Sequence, residues 1–195
     1  LAFDRCRNCS FVKSYFLVIL VAAFTMRFLP QYSVLINSLF LIGIPVLVYR
    51  KDAYELGFRN YLSGLKWGLS VSAFVLGCYF LFCSRLGESL NLNFSFGTAL
   101  FFLSVALGEE LFFRGFFYSL FKNEEIIGGL LTKNNLISSV LFGIAHALIY
   151  YDPSMFKVFF PSLVMGWLYE RSGSLVAPVI FHWLSDIIYQ FVRCV

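Results

Sequence analysis

The segment LFFLSVALGEELFFRGFFYSLF, Leu100 to Phe121, is an apolar run interrupted at Glu109, Glu110 and Arg114. About 20 helical residues cross the roughly 30 Å of hydrocarbon in a bilayer, so this run is long enough to span one. An ionisable group at the centre of such a span costs roughly 2.5 to 3.5 kcal/mol on insertion scales, and groups retained there most often serve chemistry. The spacing E-E-x-x-x-R therefore marks both a transmembrane helix and a candidate site.

Composition extends this reading to the whole chain. Of 195 residues, 59% are hydrophobic and 13% charged, against roughly 45 to 50% and 25% in soluble domains. Similar apolar runs recur along the length and leave no room for a separate soluble domain, so residues 1–195 read as one membrane domain. The runs predict seven helices: Ser14 to Leu29, Ser33 to Tyr49, Leu62 to Ser84, Ser95 to Phe121, Asn135 to Tyr150, Phe156 to Glu170 and Leu175 to Val192. Lipid accepts helices and closed barrels only, and the runs are continuous rather than alternating. The expected fold class is all-α, a polytopic membrane bundle of about seven transmembrane helices.

Charge sets the expected orientation. With seven spans, Arg5, Arg7, Lys13, Arg50, Lys51, Arg59, Lys66, Lys122, Lys133 and Arg171 fall on the N-terminal side, and Arg27, Arg85, Lys157 and Arg193 fall opposite. The excess of Lys and Arg marks the cytoplasmic face, so the N-terminus is expected there, and in a prokaryotic cell the membrane is the plasma (inner) membrane. The net charge of +4 is then topology and not a nucleic-acid footprint, because the basic residues are spread among loops. The first helix lacks a convincing small-residue cleavage site and is expected to stay attached.

Five cysteines add little. Cys6 and Cys9 form C-x-x-C without the second pair a structural zinc site needs. Cys78 and Cys83 read as small apolar residues of the third helix, and Cys194, next to last, makes no C-a-a-X ending.

Few polar ionisable groups remain inside helices: Glu109, Glu110 and Arg114, then His146, then His182 and Asp186, a set that includes both histidines of the chain. They are expected to share one interior cavity. Glu110 and Arg114, four apart, lie on one face and can pair, whereas Glu109 is turned about 100° away and has no local partner. Phe142 shares a face with His146, and Asp186 lies four residues beyond His182, where its carboxylate can orient the ring and fix the tautomer.

At these positions the chain resembles the CPBP family, the CAAX prenyl endopeptidases and bacteriocin-processing relatives also called Abi proteins. The similarity lies in E-E-x-x-x-R (Glu109, Glu110, Arg114), F-x-x-x-H (Phe142, His146) and H-x-x-x-[ND] (His182, Asp186), in that order on separate helices. It continues in E-L-G-F at Glu55 to Phe58, in Ser162 and Gly166, and in the run Tyr169 to Leu175, and covers roughly 50–188. The resemblance implies an intramembrane endopeptidase of glutamic type, acting on a membrane-associated, lipidated or sorting-tail peptide, without a metal. Glu109 and His146 would activate water, His182 and Asp186 would stabilise the oxyanion, and Glu110, Arg114 and Phe142 would support the site. The geometric argument separates Glu109 from the Glu110 and Arg114 pair in the same way. Asp186 stands where many members have asparagine, and an ionised carboxylate cannot donate a hydrogen bond.

Other readings compete. Glu109, His146, His182 and Asp186 are all legitimate zinc ligands, so zinc-bound water could be the nucleophile instead. A non-catalytic scaffold for bacteriocin immunity or secretion would keep the fold without the chemistry. A transporter or proton relay also uses buried Glu, His and Asp, but no inverted repeat is apparent. Neither the rhomboid G-x-S-G nor the aspartyl G-x-G-D appears. The expected partners are a peptide substrate and the bilayer, with the cavity reaching the cytoplasm or opening laterally to lipid.

Overall fold

Apolar periodicity becomes seven helices in a computed structural model that describes residues 2–86, 88–90 and 95–194, with side chains described over 10–86 and 95–192. The side chains of Arg5, Cys6, Arg7, Cys9, Arg193 and Cys194 lie outside the described residues, as does most of the Gly87 to Asn93 connection. Helix α1 is Ala2–Phe28, α2 is Ser33–Gly43 continued by a π-helical turn at Ile44–Val48, and α3 is Tyr61–Leu86. Helix α4 is Phe96–Leu120, with a π-helical turn at Leu111–Phe116. Helices α5, α6 and α7 are Lys133–Ile149, Phe159–Ser172 and Val176–Phe191.

The ends have local causes. Ser95 and Thr132 cap α4 and α5 by accepting from the amides of Thr98 and Asn135 at 3.0 and 3.1 Å. Gly173, with φ of 64°, ends α6 in the left-handed conformation that favours glycine. Pro30 opens the 3-10 turn before α2. In the α5 to α6 loop, Asp152 caps a second 3-10 turn, Pro153–Val158. The hydroxyl and amide of Ser154 donate to Asp152 and hold its carboxyl below the usual carboxylate range.

Three details refine these expectations. Four helical segments, Ser10–Phe28, Pro30–Val48, Tyr61–Leu86 and Phe96–Leu120, are long and apolar enough to cross a membrane. Helices α5, α6 and α7 have 17, 14 and 16 residues, or roughly 21 to 26 Å at the α-helical rise, short of the hydrocarbon thickness. The chain is also not purely helical. Glu88–Leu90 pairs antiparallel with Val192–Cys194, and Glu125–Ile127 with Leu131–Thr132, outside the helices. Finally, Cys83 is fully buried and disulfide-bonded rather than a free small residue.

Contacts along the helices fix their directions. Tyr15 of α1 donates to the Leu141 carbonyl of α5 at 2.7 Å, and Met26 lies near Tyr150, so α1 and α5 run parallel. The Gly64 end of α3 meets Ser174 and Val176 at the start of α7, and the strands that follow these two helices pair, so α3 and α7 also run together. Arg114 reaches Ser162 and Tyr118 meets the Tyr169 ring, which makes α4 and α6 parallel. Gly108 of α4 packs on Leu41 and Ser38 of α2. One end of the bundle therefore holds the ends of α1, α3, α5 and α7 and the starts of α2, α4 and α6.

Aromatic packing joins α1 to α4. The Phe11 ring lies 5.8 Å from Phe112, 5.9 Å from Phe116 and 5.0 Å from Phe117, in offset and edge-on arrangements that phenyl quadrupoles favour. Leu20, Leu35, Leu47, Leu62 and Phe74 face outward, as lipid contact requires. The E-L-G-F loop tucks under the π-turn of α4: Leu56 is buried, and a Cβ on Gly115 would sit 2.6 Å from the Leu56 carbonyl oxygen. Gly115→Ala is expected to destabilise by about 1 to 3 kcal/mol, because backbone and not a flexible side chain must move. Gly77→Ala, with open space at Cβ, serves as the neutral control in thermal unfolding of the detergent-solubilised protein. Equal midpoints for the two variants would contradict this packing account.

Candidate active site

Three helices deliver the polar residues to one place. Glu109 Oε2 lies 3.9 Å from His146 Nε2 and 3.8 Å from His182 Nε2, and Asp186 Oδ2 lies 3.6 Å from that same His182 nitrogen. Glu109, His146, His182 and Asp186 line a cavity of about 250 Å³ that is completed by Asn37, Tyr150 and apolar side chains of α1, α2 and α4. Helices α4, α5 and α7 thus bring the four predicted residues together. Glu109 Oε2 is buried and makes no hydrogen bond among the described residues.

Below the cavity lies a buried ionic layer. Glu110 and Arg114 are both fully buried, and Arg114 Nη1 donates to Glu110 Oε1 at 2.8 Å. The other guanidinium nitrogen donates to the Ser162 carbonyl at 2.9 Å and to the Ser162 hydroxyl. Glu110 Oε1 also contacts His182 Nδ1 at 2.9 Å. The spacing H-x-x-x-D suggests that Asp186 fixes the His182 ring, but Glu110 holds its Nδ1 while Asp186 faces the cavity-side nitrogen. A partner 72 residues away leaves no mark in local spacing.

His146 is held differently. Its Nδ1 lies 3.0 Å from the Phe142 carbonyl, the geometry of an N–H donating one turn back, which leaves Nε2 facing Glu109. The buried Phe142 ring lies tilted against His146 at 4.4 Å, meets His182 edge-on at 5.8 Å and lies 5.1 Å from the Arg114 guanidinium. One phenyl group thereby spaces both imidazoles and covers the cation beneath them. Tyr150, which the motif reading omits, stacks beside His146 at 6.1 Å and lines the cavity.

Tyr150 is also a shared wall. An apolar groove of about 1060 Å³ between α1 and α2 runs past Phe24, Phe28 and Phe40 to Tyr150 and Tyr151, with Arg27 at its lining. Among the described residues, no group of three or more His, Cys, Asp or Glu side chains is placed to hold a metal ion.

The chemistry open to this arrangement is acid–base work on a water and a carbonyl. Two imidazole nitrogens and two carboxylates face one space, and the buried layer fixes the orientation of the His182 ring. In comparison with known proteins, a model of type II CAAX prenyl endopeptidase Rce1-like proteins matches residues 91–188, just over half of the chain. That stretch contains Glu109, Glu110, Arg114, Phe142, His146, His182 and Asp186, while the E-L-G-F loop precedes it. No curated protein and no solved structure matches the chain.

Proposed function

The chain belongs to the type II CAAX prenyl endopeptidase Rce1-like family, and from that premise we propose that it is an intramembrane endopeptidase in which Glu109 and His146 activate a water. The observation that carries the proposal is the placing of one carboxylate oxygen 3.8 and 3.9 Å from two imidazole nitrogens. Those separations are too long for direct hydrogen bonds and suit a bridging water with several polar partners.

Glu109 takes a proton from the water as its oxygen attacks the peptide carbonyl, and His146 Nε2 accepts the second hydrogen and aims the lone pair. His182, as the imidazolium, donates from Nε2 to the carbonyl oxygen as negative charge grows there. Glu110 accepts from Nδ1 and keeps the ring in place, while Asp186 faces Nε2 and supports the cation. This role suits aspartate, whose carboxylate cannot itself donate to the oxyanion. Glu109 then returns its proton to the departing amine, so the C–N bond breaks and the base is regenerated. The groove between α1 and α2 takes the apolar part of a membrane-anchored substrate.

The test is mass spectrometry of membrane peptides from cells carrying the wild type or Glu109→Gln. Uncleaved precursors are expected to accumulate only with the variant, whereas indistinguishable peptide sets would favour a non-catalytic scaffold. The proposed reaction uses no metal. Purified protein is expected to keep its activity in a strong chelator and to contain no stoichiometric zinc. Loss of activity on chelation with recovery on adding zinc would instead make Glu109, His146, His182 and Asp186 ligands.

A further inference from the structure

The catalytic cavity and the basic loops lie at opposite ends of the bundle. His146 is three residues from the end of α5, which is roughly 5 Å of helical rise. Asp186 is in the second half of α7, and the cavity is completed by Met26 at the end of α1, by Ser33, Val34 and Asn37 at the start of α2, and by Phe101 and Phe102 near the start of α4. All of these belong to the end where α1, α3, α5 and α7 finish. Four cationic residues lie at that end, Arg27, Arg85, Lys157 and Arg193, against ten at the other.

The charge asymmetry has a direction. Lys and Arg in short loops are retained on the cytoplasmic side, so the ten-residue end faces the cytoplasm and the cavity end faces away from it.

We infer that the catalytic cavity opens to the extracytoplasmic face, and that the substrate is a membrane-anchored segment of a polypeptide already translocated across the bilayer. The inference rests on the protease reading of this site and narrows it. A cytoplasm-facing cavity is set aside, and among lipidated, bacteriocin and sorting-tail substrates the last class fits: an apolar tail in the membrane whose scissile bond lies near the outer interface. The buried Glu110 and Arg114 layer lies between Glu109 and the basic end.

The test separates orientation from activity. Ser154→Cys places a thiol in the exposed loop at the cavity end, and Glu125→Cys places one in the exposed turn at the basic end. Intact cells are treated with a membrane-impermeant maleimide, with the wild-type chain as the blank. Ser154→Cys is expected to label at least tenfold more than Glu125→Cys, and permeabilisation should equalise them. The reverse ratio, or equal labelling before permeabilisation, would overturn the orientation even if the enzyme is active. In the membrane peptide comparison, precursors that accumulate with Glu109→Gln should come from translocated proteins. Precursors confined to cytosolic proteins would overturn the substrate class and leave the protease reading standing. No accumulation together with outward labelling would instead sink the protease reading, and this substrate with it.

Discussion

Glu109→Gln is expected to lower peptide hydrolysis at least about 100-fold, the lower bound for removing a positioned general base, while the protein still folds and inserts. The amide keeps the size and polarity of the carboxyl group but cannot accept the water proton. The Glu110, Arg114 and Ser162 contacts lie on another face of α4 and do not involve Glu109. Thermal unfolding of the variant should therefore match the wild type to within about 1 kcal/mol, because an orphaned buried oxygen is replaced by another polar atom. The decisive comparison is turnover beside folding. His146→Ala should also lose most activity, and combining the two substitutions should cost little more than either alone, because residues that act on one water are not additive. A Glu109→Gln protein that turns over substrate within threefold of wild type would remove this carboxylate from the mechanism.

The helices were legible because lipid leaves a strong sequence mark. Hydropathy predicts helix starts at Ser33, Leu62 and Leu175, and α2, α3 and α7 begin at Ser33, Tyr61 and Val176. Helix α1 starts well before the expected Ser14 because its first turns are charged, and hydropathy reports the lipid-facing part of a helix rather than all of it. Helix α6 starts later than Phe156 because Pro153 and the Asp152 cap set a 3-10 turn there first. Four of the seven helices have the length and apolarity of a span by themselves, and the three shorter ones, α5, α6 and α7, do not.

The site residues were legible as a set, since ionisable groups are costly inside such helices, but their connections were only half visible. Pairs four apart follow from helical geometry, and Glu110 with Arg114 has that form. The bond from His182 to Glu110, the Ser162 contacts of Arg114 and the approach of Leu56 to Gly115 join distant segments, and no local spacing encodes them. The π-turn directly after Glu110 was likewise invisible, although such turns often mark functional positions in helices.

Arg114→Met is expected to destabilise the fold by about 3 to 5 kcal/mol, the range for removing one partner of a buried ion pair. Methionine preserves much of the apolar volume beneath Phe142 but leaves the fully buried Glu110 carboxylate facing only His182. The Ser162 carbonyl loses its donor as well. Arg114→Lys should recover only part of the loss, because one ammonium cannot reproduce the two-armed contact to Glu110 and Ser162. Adding Glu110→Gln to Arg114→Met removes the stranded charge and should restore much of the stability, since the cost lies in the unpaired ion. Activity should not return with it, because His182 would still lack the carboxylate that holds Nδ1. Unfolding midpoints and turnover of the three variants, measured in the same detergent and lipid, separate the two effects. If Arg114→Met unfolds within about 1 kcal/mol of wild type, the pair is not the support described here; if the double variant regains turnover along with stability, the Glu110 carboxylate is not what positions His182.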